Sequence, residues 1–189
     1  MKNRLHLKHQ NGLGFIKLIA MKKILINSYD FNLKYAYQLV ADLEEIQMTE
    51  TPTTGLENHP AFTLGHLISA AALTSKYLGG PYDIKKEWEQ LFKRKGPGDP
   101  RKPETNASLY PSKEQLLSEL TRQHEIVKIL IRALPEERIP EPAKWRFDQY
   151  MPTLGDLLYF MCVTHESMHL GQLAAWRRAM GLPSALAEL

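Results

Sequence analysis

The sequence has little cysteine and no long apolar run, and each deficit excludes a class of protein. Cys162 is the single cysteine among 189 residues, so an intramolecular disulfide framework is excluded. No stretch of about eighteen uncharged apolar residues occurs, so we predict no membrane-spanning segment. A composition of 43% apolar and 24% charged residues is typical of a globular domain, not of a disordered chain. We expect a cytoplasmic protein, because a reducing compartment tolerates one free thiol.

Acidic residues are absent from the first 20 residues, which contain four bases: Lys2, Arg4, Lys8 and Lys17. Residues 21–189 hold 20 basic and 21 acidic residues, although the whole chain has a formal charge of +3. The basic excess therefore belongs to this leader, and electrostatics do not indicate nucleic-acid binding by the rest. Lys17 also interrupts the leader's apolar stretch, and no small-residue cleavage pattern follows, which argues against a secretory signal. We predict a poorly ordered basic leader at 1–20 and one domain at 21–189.

Apolar residues recur at spacings of three and four along most of the chain, which predicts four long amphipathic helices. These span about 25–47, 61–78, 112–134 and 153–180, with a short helical candidate at 85–92. No segment shows a convincing two-residue period, so we expect an all-α fold, and four such faces pack economically as a four-helix bundle. The connection between helices two and three is long enough to cross the bundle, which would allow those two helices to run parallel.

Histidines are the most informative of the polar residues. His165 and His169 are four residues apart on helix four, so their side chains lie about 6 Å apart on one helix face. The same stripe carries Leu158, Cys162 and Leu173, where uncompensated imidazoles would be costly. His66 lies near an inward face of helix two. Three histidines from two inward faces indicate a three-nitrogen metal site with an open position, and buried histidines bonded to the backbone are the alternative.

The remaining histidines are expected to be less informative. His6 and His9 fall in the leader and His59 in a loop, where solvent-exposed side chains are the default expectation. His124 and Cys162 are available as auxiliary groups, although packing at the edge of the core is the favoured role for both.

The segment His165–His169 also matches the H-E-x-x-H pattern of zinc proteases, in which the glutamate activates water. That alternative needs a third ligand further along the chain. Gly171 is two residues after His169 instead of three, no later histidine exists, and Glu188 is a poor position for a rigid ligand. The lack of a suitable third ligand therefore argues against a protease.

Two residues near the histidine pair are candidate catalytic groups. Gln172 shares the helix face of His165 and His169 and could orient a metal-bound ligand, although a plain hydrogen-bonding role fits equally well. Glu166 lies about 100° around the helix from His165, so we expect it to contact a neighbouring group and not to be a metal ligand.

Three segments of the sequence resemble the DinB/YfiT-like superfamily of metal-dependent enzymes. They are Asn58–Leu67 (NHPAFTLGHL), Tyr110–Glu114 (YPSKE) and the terminal pattern from His165 to Gln172 (HExxHxGQ). The resemblance covers about residues 25–183. It implies a four-helix bundle with up-down-down-up topology, often dimeric, that binds a divalent metal such as zinc or nickel. The positions that correspond to the metal ligands are His66, His165 and His169.

The resemblance does not select one reaction. Relatives include thiol S-transferases that use bacillithiol, mycothiol or glutathione, and isomerases of the maleylpyruvate type. We therefore expect a metal-dependent enzyme, a thiol S-transferase or a hydrolase, with a small-molecule substrate such as a low-molecular-weight thiol. A homodimer is expected, with no nucleic-acid or membrane partner. The alternative is a non-enzymatic, metal-stabilised stress-response or binding module, which a fourth protein ligand would favour.

The leader is expected to be dispensable for stability. Deletion of residues 1–20 should change the melting temperature little, because the charge and the apolar pattern both change near Met21. Thermal unfolding of the full chain and of the shortened chain, followed by circular dichroism, checks this. A large loss of stability would show that the leader is an integrated element.

Overall fold

A computed structural model describes the backbone of residues 2–96 and 99–189 and the side chains of residues 21–96 and 99–189. The described chain is all-α, and its single β-bridge, between Pro142 and Thr153, extends into no strand. Within the same residues, no helix combines the length and the apolar character needed to cross a membrane.

The first helix, α1 (Lys2–Val40), ends earlier than the sequence pattern suggests. A separate 3-10 helix, Glu45–Thr49, follows it. This second element begins with a capping box, in which Glu44 and Gln47 bond each other's backbone amides, so the apolar period continues while the α-helix does not. The predicted leader boundary falls inside α1. Because the leader's side chains lie outside the described residues, its separation from the domain stays a prediction.

The second helix, α2 (Pro60–Tyr77), occupies the predicted position. Pro60 fits the first turn because the missing amide donor would have no helical partner there. His59 is the N-cap, and its Nδ1 accepts from the Phe62 amide at 3.2 Å. The expectation that His59 is solvent-exposed is wrong: only 2% of it is exposed, because capping draws the ring into the core.

The long crossover contains the short helix α3 (Lys86–Phe92), close to the predicted 85–92. It packs against α2, and Trp88 and Phe92 are its buried residues. A short 3-10 turn, Ala107–Leu109, precedes the next long helix. Pro97 and Gly98, also part of the predicted loop, lie outside the described residues.

The third long helix, α4 (Lys113–Ala133), begins where it is predicted, and Ser112 and Gln115 form a capping box at its start. The last long helix, called the C-terminal helix below, has three parts. It is α-helical over α5 (Leu154–Tyr159), π-helical over Phe160–His165 and α-helical again over α6 (Glu166–Ala179). The sequence pattern predicts this helix as one element but gives no sign of the π-helical stretch.

The described side chains form two buried apolar clusters, and each takes residues from α1, α2, α4 and the C-terminal helix. Between its residues in one cluster and its residues in the other, each of the four long helices carries a buried polar residue. These four residues, called the polar layer below, are Asn32, Ser69, His124 and Glu166. The fold therefore buries hydrogen-bonding groups at mid-height, next to the part of the C-terminal helix that carries His165 and His169.

One glycine in α2 is required by close packing. A Cβ atom at Gly65 would lie 2.3 Å from Cδ1 of Phe92, which is fully buried. Gly65→Ala should therefore lower the free energy of unfolding by about 1–3 kcal/mol, because the Phe92 ring must move. Urea unfolding of both proteins measures the change.

Gly171, in α6, is the matched control. An added Cβ there meets nothing within 4 Å. Gly171→Ala should raise stability by about 0.5–1 kcal/mol, because alanine restricts the unfolded chain and favours the helix. Similar effects of the two substitutions would contradict the role assigned to the Gly65 contact.

Candidate metal centre

Three histidines from two helices converge at the edge of the core. His66 comes from α2, His165 ends the π-helical stretch and His169 lies one turn later in α6. One nitrogen from each ring lies within 4.8 Å of the others. The ring centroids are 4.6 Å apart for His169 and either partner and 5.3 Å apart for His66 and His165. All three side chains are half-buried, so the cluster has a side that solvent can reach.

Hydrogen bonds orient two of the three rings. Nδ1–H of His66 donates to the backbone carbonyl of Phe92 at 3.1 Å. Nδ1–H of His169 donates to Oε1 of Gln172, also at 3.1 Å. Because each bond fixes the tautomer with the proton on Nδ1, the lone pair on Nε2 is left for another partner. Such partners of metal-ligating histidines commonly fix ring orientation.

The electrostatics of the cluster keep the imidazoles neutral. Burial, together with the charges of the neighbouring imidazoles, lowers the pKa of His165 to about 3. Burial likewise lowers the pKa of His169 to about 4, and it lowers the pKa of His66, to which the nearby Arg94 charge contributes. At neutral pH the rings therefore carry the lone pairs that a metal ion requires.

The donor set fits a divalent metal ion. Three imidazoles on one side, with a solvent-reached side opposite, match the ligand number of catalytic zinc sites. Nδ1 of His165 is buried and has no hydrogen-bond partner among the described residues, so no protein group competes for that ring. Within the same residues, the cluster includes no fourth histidine, cysteine or carboxylate.

Glu166 points away from the histidine cluster and into the polar layer. Its Oε1 accepts from Nε2 of His124 at 2.8 Å, and both side chains are almost completely buried. Burial raises the pKa of the Glu166 carboxyl, although His124 and Asn32 oppose this effect. His124 also stacks on Tyr29, with ring centroids 3.7 Å apart. Glu166 therefore joins α4 to the C-terminal helix and does not face the cluster, as its position on the helix indicates.

The buried stripe of the C-terminal helix differs from the predicted one. After Leu158 and Cys162 it continues through Glu166, while His165 and His169 lie beside it, half-buried. The π-helical stretch accounts for this difference, because it changes the angular spacing of the residues that precede Glu166. The Cys162 thiol is fully buried and burial raises its pKa, so it stays protonated and is no nucleophile.

Several functional contacts were not found by sequence reasoning. The Phe92 carbonyl that orients His66 lies at the end of the short helix α3, and backbone acceptors leave no trace in a sequence pattern. The buried pair of His124 and Glu166 joins residues that are 42 positions apart. Its one sequence signal is that both residues fall on apolar helix faces.

The described chain is therefore an all-α protein with a three-histidine candidate metal centre. A family model described as the DinB superfamily matches residues 28–173, a range that contains all three histidines. The chain belongs to the DinB superfamily. No curated protein matches it.

Proposed function

We propose that this protein is a cytoplasmic metal-dependent enzyme whose ion, zinc or nickel, is held by His66, His165 and His169. The observation that carries the proposal is the convergence of three neutral imidazoles, within 4.8 Å, at a half-buried edge of the core. Membership of the DinB superfamily, whose members are metal-associated, supports it. Imidazole ligands suit both metals, so elemental analysis must decide between them.

The chain's own residues supply the preorganised surroundings of this centre. Phe92 and Gln172 hold two of the rings, and Phe62 and Phe160 lie against the cluster with ring centroids 6.0 Å from His66 and His165. When bound, the ion supplies Lewis acidity, which polarises an electrophile or lowers the pKa of a coordinating nucleophile. The aromatic rings reduce access of water from their side, which strengthens electrostatic interactions at the centre.

The reaction is proposed to be thiol S-transfer or hydrolysis. In thiol transfer, the sulfur of a low-molecular-weight thiol forms a bond to an electrophilic carbon. The leaving group departs with the electrons of the bond that breaks, and the thiol proton passes to solvent. In hydrolysis, water takes the place of the thiol. A non-enzymatic metal-stabilised module is less well supported, because structural zinc sites usually have four protein ligands and the described residues offer three.

We also propose that the four long helices form a bundle with up-down-down-up topology. Contacts between α1 and α4 have the order of antiparallel helices, and contacts between α1 and the C-terminal helix have the order of parallel helices. The contacts between α1 and α4 are Asp30–Lys128 and Tyr37–Thr121. The contacts between α1 and the C-terminal helix are Asn32–Cys162 and Asp42–Arg177. The shared apolar clusters support parallel α2 and α4. An experimental structure would check these directions.

A homodimer is proposed as the working assembly. The described surface of α1 and the C-terminal helix has four large apolar side chains that are more than half exposed: Ile24, Phe31, Tyr159 and Met168. Burial of such residues between two copies would stabilise the dimer. Sedimentation at micromolar concentration should give twice the mass of the chain, and a monomer mass would remove this proposal.

The metal site is tested by metal content and affinity. His66→Ala and His169→Ala should each lower the affinity steeply, because a two-nitrogen remnant leaves the ion mostly to water. Gln172→Ala should cost less, about 10–100-fold, because it removes only the partner of His169 Nδ1. Elemental analysis of the purified proteins and competition with a chromogenic chelator measure both effects.

Glu166→Gln is the control, because it keeps the shape of a side chain that does not face the cluster. It should retain near-stoichiometric metal. Equal occupancy in wild type and His66→Ala would overturn the three-histidine site. The metal-loaded protein is then assayed with bacillithiol, mycothiol or glutathione and an electrophile, and without thiol. Turnover that depends on the metal supports an enzyme, whereas full metal loading without turnover in either assay would favour the non-enzymatic module.

A further inference from the structure

A half-buried arginine lies one aromatic ring away from the histidine cluster. Arg94 follows α3, and its guanidinium carbon is 4.2 Å from the centroid of the Phe62 ring. Phe62 in turn stacks on His66, with the two ring planes inclined by 10°. The cation is thereby positioned at the border of the candidate metal centre by the same aromatic residue that covers one of its ligands.

No described residue neutralises Arg94 by a hydrogen bond or an ion pair. Asp99, whose charge acts on Arg94, is already engaged: it accepts from Arg101 Nη2 at 2.5 Å and from the Lys95 amide at 2.8 Å. Arginine keeps its charge at neutral pH, even though burial lowers the pKa of Arg94. A partly desolvated cation without an anion is unfavourable, and an anionic ligand would offset that cost.

A second cation, Arg146, lies against Gly96, two residues after Arg94. Nη1 of Arg146 lies so close to Gly96 that a Cβ atom there would be 2.2 Å away. Arg146 also lies over Phe147, which contacts Phe160, and Phe160 contacts His165. Two cations therefore lie near the cluster, Arg94 through Phe62 and Arg146 through Phe147 and Phe160.

Among the residues that the structure describes, the acidic and polar groups beside the cluster do not cancel this charge. Glu166 faces His124 in the interior, and Gln172 is neutral and bonded to His169. A divalent ion in the centre would make the surroundings still more positive. A ligand with negative charge is thus favoured over a neutral one. The phenylalanine rings near the cluster favour a singly charged anion, because a doubly charged one is more strongly hydrated and costs more to desolvate.

We propose that Arg94 binds the carboxylate of a small carboxylic acid substrate whose reactive end reaches the histidine cluster. The contact between the reactive end of the substrate and the histidine cluster rests on the proposed function. The contact between the carboxylate and Arg94 does not need the metal. The guanidinium offers paired N–H donors that match the two carboxylate oxygens. Arg94 is accordingly a substrate-binding residue that selects acids over their uncharged analogues.

The test uses two probes of the same shape, 3-phenylpropionate and 3-phenylpropionamide, and adds phenyl phosphate as a doubly charged probe. Each is titrated into the full chain, both metal-loaded and metal-free, with isothermal titration calorimetry as the readout. The acid should bind about tenfold or more tightly than the amide, as expected for a charge-assisted hydrogen bond. It should also bind more tightly than the phosphate, because the doubly charged group costs more to desolvate beside the aromatic rings. In Arg94→Gln the preference for the acid over the amide should disappear.

Arg132→Gln is the matched control, because Arg132 is exposed on α4 and contributes the same formal charge. It should keep the acid preference. The Nε–H signal of Arg94 in the wild-type NMR spectrum, assigned through its contacts with the Phe62 ring, should shift with the acid and not with the amide. This signal decides the question in wild type if the variant does not fold.

The outcomes separate this proposal from the metal site. Stoichiometric metal binding with no acid preference overturns the role of Arg94 alone. Acid preference in a protein that binds no metal overturns the metal site alone. No detectable binding of the acid at millimolar concentration, an equal preference in Arg94→Gln, or equal binding of phenyl phosphate each overturns the proposal.

Discussion

The hydrogen bond between His124 and Glu166 is the constraint on which the middle of the fold depends. Both groups are buried, so neither can exchange its partner for water without opening the core. Loss of either partner would leave a buried polar or charged group unpaired, which is far more costly than loss of an exposed ion pair. The bond therefore fixes the height and rotation of the C-terminal helix relative to α4, at the residue that follows His165.

The geometry of the candidate metal centre depends on this placement of the C-terminal helix. His165 and His169 leave the helix beside the buried stripe, while α2 presents His66 from the other side. The third support comes from the crossover, because Phe92 fills the space left by Gly65 and its carbonyl holds the His66 ring. Interior packing, a polar contact between two helices and a loop contact thus converge on three rings. Each is a long-range interaction, which explains why a small cluster at the core edge needs the whole domain.

The helices and the three histidines could be predicted from the sequence for clear physical reasons. Apolar periodicity marks buried helix faces, and caps such as Ser112 with Gln115 mark helix starts. The spacing of His165 and His169 survives because both lie at or after the end of the π-helical stretch. Contacts between distant positions could not be predicted: the capping of α2 by His59, the pair of His124 and Glu166, and the guanidinium of Arg94 over Phe62 depend on tertiary packing.

The π-helical stretch has a consequence for how this domain can change through insertion and deletion. Buried positions on the C-terminal helix follow one another in steps of four, from Leu158 through Cys162 and Glu166 to Leu170. In a regular α-helix each such step overshoots a full turn by about 40°. The wider turns of Phe160–His165 absorb this drift, as a helix does when it accommodates one additional residue. A chain one residue shorter there would rotate Glu166 and both histidines together, out of register with the buried Leu158.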